Sequence, residues 1–270
     1  MAHEHGSARS VKNYRLLSMA MLVSAGLVTF SQPAAFAESK ADRTDYSVSL
    51  LGLPIASLSF RTRVDGSNYT ISGSLKTSFI AEILEPTRGT ITSKGRITRD
   101  QFRADSFEVK YSTGRKNARA AYTARNGNVR SATIEPKKNL PKNWIHVPAS
   151  HKRSVVDPLA SLVFPKGEKP CPQTVGVFDG ESRFDLKLSP IGKRQFSTDG
   201  FSGEALACSV RFVPKSGYRK DNSSIDYVRK LKGIEVWFAP HPEDGYMAPV
   251  YAKIPTKVGR VVVSASRFGS

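Results

Sequence analysis

Residues 171–208 read CPQTVGVFDGESRFDLKLSPIGKRQFSTDGFSGEALAC and contain the only two cysteines of the chain, Cys171 and Cys208. Apolar and polar residues alternate from Arg183 to Leu188, as in a strand with one buried face. Ahead of it, Val177-Phe178-Asp179-Gly180 ends in Asp-Gly, a typical turn dipeptide. The stretch therefore predicts two antiparallel strands joined at Asp179-Gly180, with a cysteine at each end of the region.

Residues 1–37 have the order of a secretory signal peptide. Basic residues precede an apolar run from Leu16 to Phe30, and the small-residue site Ala35-Phe36-Ala37 follows it. The run of about 15 residues is shorter than the roughly 20 that a membrane-spanning helix needs, with an uncleaved anchor as the alternative. We therefore expect export, with cleavage near Ala37.

Export decides how Cys171 and Cys208 are interpreted. In an oxidising compartment an even number of cysteines predicts a disulfide, and two cysteines allow one intramolecular bridge. A redox pair would favour a Cys-x-x-Cys spacing, which is absent from this chain. We therefore expect a structural bridge between the two cysteines.

Positive charge is concentrated in the middle of the sequence. The whole chain carries a formal charge of +18, and residues 109–156 hold eleven basic residues against Glu135 alone, a net charge of +10. Outside the cytoplasm such a field attracts anionic lipid or acidic envelope polymers, and nucleic acid is not an expected partner. The alternative is that these lysines and arginines only solvate the outer faces of strands.

Short alternating runs recur over the rest of the chain and predict about thirteen strands. Asp65-Gly66 and Asn126-Gly127 lie between such runs and indicate tight hairpins. Residues 192–203 are expected to be a loop, and residues 215–232 to be irregular. Asp157 followed by Pro158 indicates one short helix over residues 157–163.

The pattern predicts an all-β fold, with residues 38–270 as a single β-rich domain. We expect one antiparallel curled sheet or barrel-like domain with one short helix and one disulfide, because curling or closure hides strand edges. A two-sheet sandwich is the alternative.

Enzyme signatures are absent from the sequence. It contains no Gly-x-Ser-x-Gly, no phosphate-binding loop and no dinucleotide-binding motif. The histidines at 146, 151 and 241 form no metal-binding pattern and are expected to be exposed, so we expect neither a metal nor a cofactor. Asp179, Glu181 and Asp185 could serve as paired carboxylates of a hydrolase, but Asp179 also suits a turn, and Asp185 alternates outward.

The order of motifs along the chain resembles the exported Gram-negative proteins of domain of unknown function 3108. The most specific part of the resemblance is the Phe-Asp-Gly turn between two cysteines, and it continues over nearly all of residues 38–270. The motifs are Tyr46, Gly52, Asp157-Pro158-Leu159, Cys171, Val177-Phe178-Asp179-Gly180, Arg183-Phe184, Cys208, Gly217-Tyr218-Arg219, Ile234-Glu235 and Pro249. More loosely, the plan is similar to periplasmic envelope-integrity proteins with a curled β-sheet.

The resemblance implies a periplasmic β-rich protein with no established activity. Our leading hypothesis is a non-enzymatic envelope protein that binds a lipid or other amphiphile in its curled sheet. The alternatives are an envelope hydrolase and a module that binds envelope proteins. No catalytic residue is assigned, and the candidate binding or structural motif is Phe178, Asp179, Gly180, Arg183 and Phe184.

Overall fold

The computed structural model describes residues 41–78, 80–243 and 245–269. The predicted signal peptide therefore lies outside the described residues. The strands are β1 (Asp42–Leu50), β2 (Leu53–Asp65), β3 (Asn68–Thr77), β4 (Thr87–Ile97), β5 (Phe102–Thr113), β6 (Lys116–Arg125), β7 (Asn128–Glu135), β8 (Trp144–Ile145), β9 (Gln173–Phe178), β10 (Arg183–Thr198), β11 (Phe201–Ser216), β12 (Tyr218–Arg219), β13 (Ile234–Pro240), β14 (Met247–Thr256) and β15 (Gly259–Phe268). The helices are α1 (Ile80–Leu84) and α2 (Ser223–Lys230), and 3-10 turns occupy Ala149–Lys152 and Ala160–Leu162. Neither helix has the length or the apolarity needed to cross a membrane.

One antiparallel sheet contains thirteen of these strands. Their order is β7-β6-β5-β4-β3-β2-β1-β15-β14-β13-β11-β10-β9, and β8 pairs separately with β12. Because β1 pairs with β15, the first and last strands meet in the middle of the sheet. The sheet thus has an amino-terminal wing, β1 to β7, and a carboxy-terminal wing, which contains β9 to β15 without β12. The predicted all-β class with one large antiparallel sheet is confirmed.

Tight turns set the register of the amino-terminal wing. Asp65 pairs with Asn68 across one two-residue turn, and Arg125 pairs with Asn128 across another. Asn126 and Gly127 have φ angles of 52° and 73°, the left-handed conformation that a type I′ hairpin turn requires. Both predicted hairpins are confirmed.

The two wings curl until their inner faces touch, but the sheet does not close. Phe178 on β9 lies 5.5 Å from Tyr122 on β6, measured between ring centroids. A methyl group on Gly180 would lie 3.3 Å from the Cβ of Ala120. Within the described residues no ladder of hydrogen bonds joins β9 to β6 or β7. Side-chain packing therefore holds the wings together where a closed barrel would use backbone pairing.

Residues 155–164, the inner segment, cross the concave side and bond to both wings. The amide of Val155 donates to the carbonyl oxygen of Gly127, at 2.9 Å, and that of Val156 to Gly176, at 3.0 Å. At its other end Phe164 exchanges two backbone hydrogen bonds with Met247. The segment is largely buried because its apolar side chains complete the core between the wings.

The short helix was predicted in the wrong place. Residues 157–163 contain a single 3-10 turn, and Val163 is already extended, at φ −123° and ψ 131°. Pairing with Met247 satisfies the backbone of Phe164 and draws the chain out of a helical path. The eight-residue helix is α2, where the side chain of Asn222 accepts from the amides of Ser224 and Ile225.

The loop predicted at residues 192–203 is also wrong, because β10 and β11 continue through it. Their last pair is Thr198 with Phe201, on either side of Asp199-Gly200. Residues 191–198 are mostly exposed on both faces, so their sequence lacks the alternation of a half-buried strand. Backbone pairing keeps this part of the hairpin extended.

The predicted disulfide is confirmed, and it spans β10. Cys208 lies on β11 and Cys171 lies just before β9, with Cα atoms 6.2 Å apart. Both cysteines are buried. The bridge thus links the start of the edge strand β9 to β11, across the intervening strand β10.

Replacing Cys171 and Cys208 together by alanine should lower the free energy of unfolding by about 4 kcal/mol, because the bridge closes a loop of 37 residues in the unfolded chain. Urea unfolding followed by circular dichroism measures the change. Reduced wild-type protein is the matched control and should lose a similar amount. A loss confined to the reduced wild type would contradict this role of the bridge.

Candidate functional site: an apolar cavity under the inner segment

An apolar cavity of about 300 Å³ lies between the inner segment and the concave face of the sheet. Strands from both wings form its walls, and three residues of the inner segment cover it. The wall residues include Leu58, Phe60, Ile71, Val236, Ala252, Ile254 and Val263, and the covering residues are Leu159, Leu162 and Val163.

Strand register brings the walls together. Ala252 on β14 pairs with Val236 on one side and with Val263 on the other, so these side chains form one row on the same face. Tyr46 pairs with Leu58 in the same way on β1 and β2. Alternate residues of each strand point to the concave side, so the apolar side chains of five or more neighbouring strands lie together and form the lining.

Tyrosines are the titratable residues among those that line the cavity. The Tyr46 hydroxyl donates to the carbonyl oxygen of Pro249, at 2.6 Å. Burial raises the pKa of Tyr46 far above its ordinary value, so the phenol stays protonated and neutral. Such a lining suits the binding of a hydrocarbon group and supplies no acid–base pair for catalysis.

The carboxylate of Asp157 holds the cover of the cavity in position. Its Oδ1 accepts from the amides of Leu159 and Ala160, at 2.9 and 3.1 Å, and its Oδ2 accepts from the hydroxyl of Ser93 on β4, at 2.8 Å. Ser93 in turn lies 3.0 Å from the hydroxyl of Tyr69 on β3. Asp157, Ser93 and Tyr69 are buried, so the network joins the inner segment to the amino-terminal wing inside the core.

Burial raises the pKa of Asp157, and the hydrogen bonds from Ala160, Ser93 and Leu159 oppose that shift. Within the described residues no lysine, arginine or histidine forms an ion pair with it. The hydrogen bonds that stabilise the ionised carboxyl group therefore come from neutral donors. Burial without a cation makes ionisation of this group costly in free energy.

The motif that the sequence singled out lies beside the cavity, not in its lining. Phe178 packs on Tyr122, and Phe184 packs on Phe212, at 4.9 Å between ring centroids. Asp179 accepts from the amides of Glu181 and Ser182, at 2.9 and 2.6 Å. Phe178, Asp179 and Phe184, together with Gly180 at the turn, thus have structural contacts in the fold.

The three candidate carboxylates bind different partners. Asp179 caps its own turn, while Glu181 accepts from Lys138 at 2.7 Å. Asp185 lies on the face of β10 opposite Phe184, Leu186 and Leu188, and it is nevertheless buried, with Arg183 and Lys215 paired to it at 2.6 and 3.2 Å. Burial alone would raise the pKa of Asp185, but these two cations hold it below its ordinary value.

His241 is fully buried, so its expected exposure is wrong. Its ring stacks on Tyr246 with centroids 4.6 Å apart, and its Nδ1 lies 3.4 Å from Asp42 and 3.1 Å from Glu243. The potential metal-ligating atoms of these three residues lie within 4.8 Å of one another. Within the described residues, this is the cluster that could hold a metal ion. Sequence reasoning missed the cluster because β1 and the turn after β13 are distant in sequence.

The fold is that of a curled, barrel-like antiparallel β-domain, and its concave side contains an apolar cavity. A solved structure of this form is the crystal structure of a beta-barrel-like protein of domain of unknown function DUF1849 from Brucella abortus. The alignment covers 85% of this chain and 98% of that chain, with a TM-score of 0.50 and 9% identity. This likeness concerns the fold alone.

The chain belongs to the family described as "Protein of unknown function (DUF3108)", whose model matches residues 45–266. The resemblance drawn from its motifs is thereby confirmed. No curated protein matches the chain.

Asp157→Asn should keep the fold and remove a pH-dependent loss of stability. A carboxyl group whose pKa is raised on folding stabilises the protein below its unfolded value, 3.8, and this contribution is lost as pH rises through the folded value. In thermal unfolding between about pH 4 and pH 8, the melting temperature of the variant should therefore rise relative to that of the wild type as the pH rises.

Asp157→Ala is the matched variant that removes the acceptors as well. It should lower the free energy of unfolding by about 2 kcal/mol, because the turn loses its cap and the hydroxyl of Ser93 loses the carboxylate that accepts from it. Parallel pH curves for the wild type and Asp157→Asn would show that the buried carboxyl group does not titrate as described.

Proposed function

We propose that this chain is an exported, non-enzymatic protein of the periplasm that binds the hydrocarbon part of an amphiphile in the apolar cavity. The observation that carries the proposal is the cavity itself, with largely apolar walls from both wings and a cover that is anchored by Asp157. Ligand sites are usually concave, apolar and largely preformed, which describes this cavity.

The size of the cavity limits the ligand. A volume of about 300 Å³ lies at the small end of ligand sites, which run from roughly 300 to 1,000 Å³. It suits a single acyl chain or an apolar group of similar bulk, with the polar head of the amphiphile left outside. A whole phospholipid would require the inner segment to move.

The distribution of charge supports an amphiphile with an anionic head. The protein is strongly basic, and the excess lies in residues 109–156 of the amino-terminal wing and the adjoining loop. A basic field raises the local concentration of anionic lipids and weakens with salt. The hydrolase alternative has less support, because Asp179, Glu181 and Asp185 are each engaged by separate partners.

Ala252→Phe should abolish or strongly weaken binding of a fluorescent fatty acid such as cis-parinaric acid. The added phenyl group would occupy the volume between Val236 and Val263, so we expect a rise of about tenfold or more in Kd. Fluorescence titration of the purified protein measures the change, and circular dichroism verifies that the variant folds.

Ala132→Phe is the matched control, since Ala132 lies exposed on β7 and does not line the cavity. Native mass spectrometry of protein purified gently from its own envelope completes the test and should show a stoichiometric amphiphile. An apo mass together with equal titrations of wild type and both variants would refute a ligand in this cavity.

The proposed export has its own test. The intact mass of the protein in the periplasmic fraction should be that of a chain beginning at Glu38, because the small-residue site at residues 35–37 directs cleavage after Ala37. Ala37→Tyr should retain residues 1–37, whereas Phe36→Leu should be processed normally. A periplasmic species that still carries residues 1–37 in the wild type would favour the uncleaved anchor.

A further inference from the structure

β7 forms the outer edge of the amino-terminal wing, and among the described strands it pairs with β6. Only its start is covered: the amide of Val155, in the inner segment, bonds to the carbonyl oxygen of Gly127, and the amide of Ser154, just before that segment, bonds to Asn128 Oδ1, at 3.3 Å. Within the described residues no other backbone pairs with the free side of residues 129–135. The strand is also mostly exposed, so this side can receive another strand.

Cations surround the first half of this edge. Arg130, Lys152 and Arg153 line one hollow of about 460 Å³ beside Asn128 and Val129. Among the described residues none of these three cations forms an ion pair. Arg130 and Arg153 are exposed and Lys152 is half-buried, so positive charge without an ion-pair partner lies next to the free backbone of β7.

A second hollow, of about 550 Å³, follows the other half of the edge and shares Lys152 with the first. Apolar side chains in its lining include Ile134, Leu140 and Trp144. Its acidic residue, Glu181, is already paired with Lys138. β7 thus combines a free row of backbone groups, apolar surface on one side and unpaired positive charge.

We propose that β7 binds an extended acidic peptide segment of another protein, which adds as a strand to the sheet. Strand addition takes its affinity from backbone hydrogen bonds and its specificity from hollows that accept alternate side chains. Here acidic residues of the partner would meet Arg130 and Arg153, and apolar residues would lie against Trp144 and Leu140. This surface is separate from the apolar cavity and does not depend on a ligand there.

The charges select among possible occupants. A second copy of β7 carries the same cations and a single acidic residue, Glu135, so it offers little negative charge to meet Arg130, Lys152 and Arg153. An anionic lipid head could neutralise the cations but would leave the backbone of residues 131–135 unused. The free edge and the cations together therefore favour a peptide.

The test uses the exported chain and a short fluorescein-labelled peptide of alternating glutamate and valine. Anisotropy should show salt-sensitive binding, and hydrogen exchange should show slower exchange at residues 129–135. Replacing the central valine by proline keeps the charge but blocks strand pairing, so affinity should fall by about tenfold. The paired variant Arg130→Glu with Arg153→Glu should weaken binding to a similar degree.

Arg61→Glu with Arg63→Glu is the matched control, because both arginines are exposed on β2 and the net charge change is the same. It should leave the Kd within about twofold. Equal affinity for the proline peptide would overturn the proposal in favour of simple polyanion binding. The surface would be assigned to membranes instead if the peptide does not bind, vesicles of phosphatidylglycerol and phosphatidylcholine do bind, and the charge reversal at Arg130 and Arg153 abolishes that vesicle binding.

Discussion

The buried carboxylate of Asp157 is the interaction on which the arrangement of the two wings depends. A closed barrel would hold its wall by continuous backbone pairing, but this sheet stays open between β7 and β9. The inner segment shares that task with the packing of Phe178 on Tyr122, and Asp157 binds it to Ser93 while capping its 3-10 turn. An ionisable group so deeply buried is tolerated because neutral donors satisfy both of its oxygens.

An open sheet has two consequences for function. The wings separate enough to leave a cavity beneath the inner segment, which a fully packed sandwich would fill with side chains. Two edges also remain, and the fold treats them differently. The β9 edge is covered where Val156 bridges to Val177, whereas the β7 edge is exposed and lies among cations. The proposed ligand site and the proposed partner surface thus come from the same incomplete closure.

Local signals predicted most of the framework. Asp65-Gly66 and Asn126-Gly127 located two hairpins, and the residues that form the turns, Gly66-Ser67 and Asn126-Gly127, have backbone preferences that match the turns joining twisted strands. The helix at residues 157–163 was wrong because a capping signal describes how a turn begins, and long-range pairing with Met247 decided where it ended. The loop at residues 192–203 was wrong because an exposed hairpin carries no burial pattern.

The candidate site was less accessible to sequence reasoning. Alternation showed which side chains of β2, β3, β13, β14 and β15 share a face, but not which of those faces would enclose unfilled space. The same limit hid Asp157, which resembled an ordinary helix cap, and His241, which lay in a turn. Distances between residues far apart in sequence determine burial, and no local pattern contains them.

By itself the sequence determined the all-β class, the family, the single disulfide and the concentration of positive charge, because composition, period-two alternation and motif order are local properties. Only the tertiary structure decided that the sheet remains open, that the inner segment covers a cavity, and that β7 is the free edge. Those features depend on how far thirteen twisted strands curl before the side chains of Phe178 and Tyr122 meet.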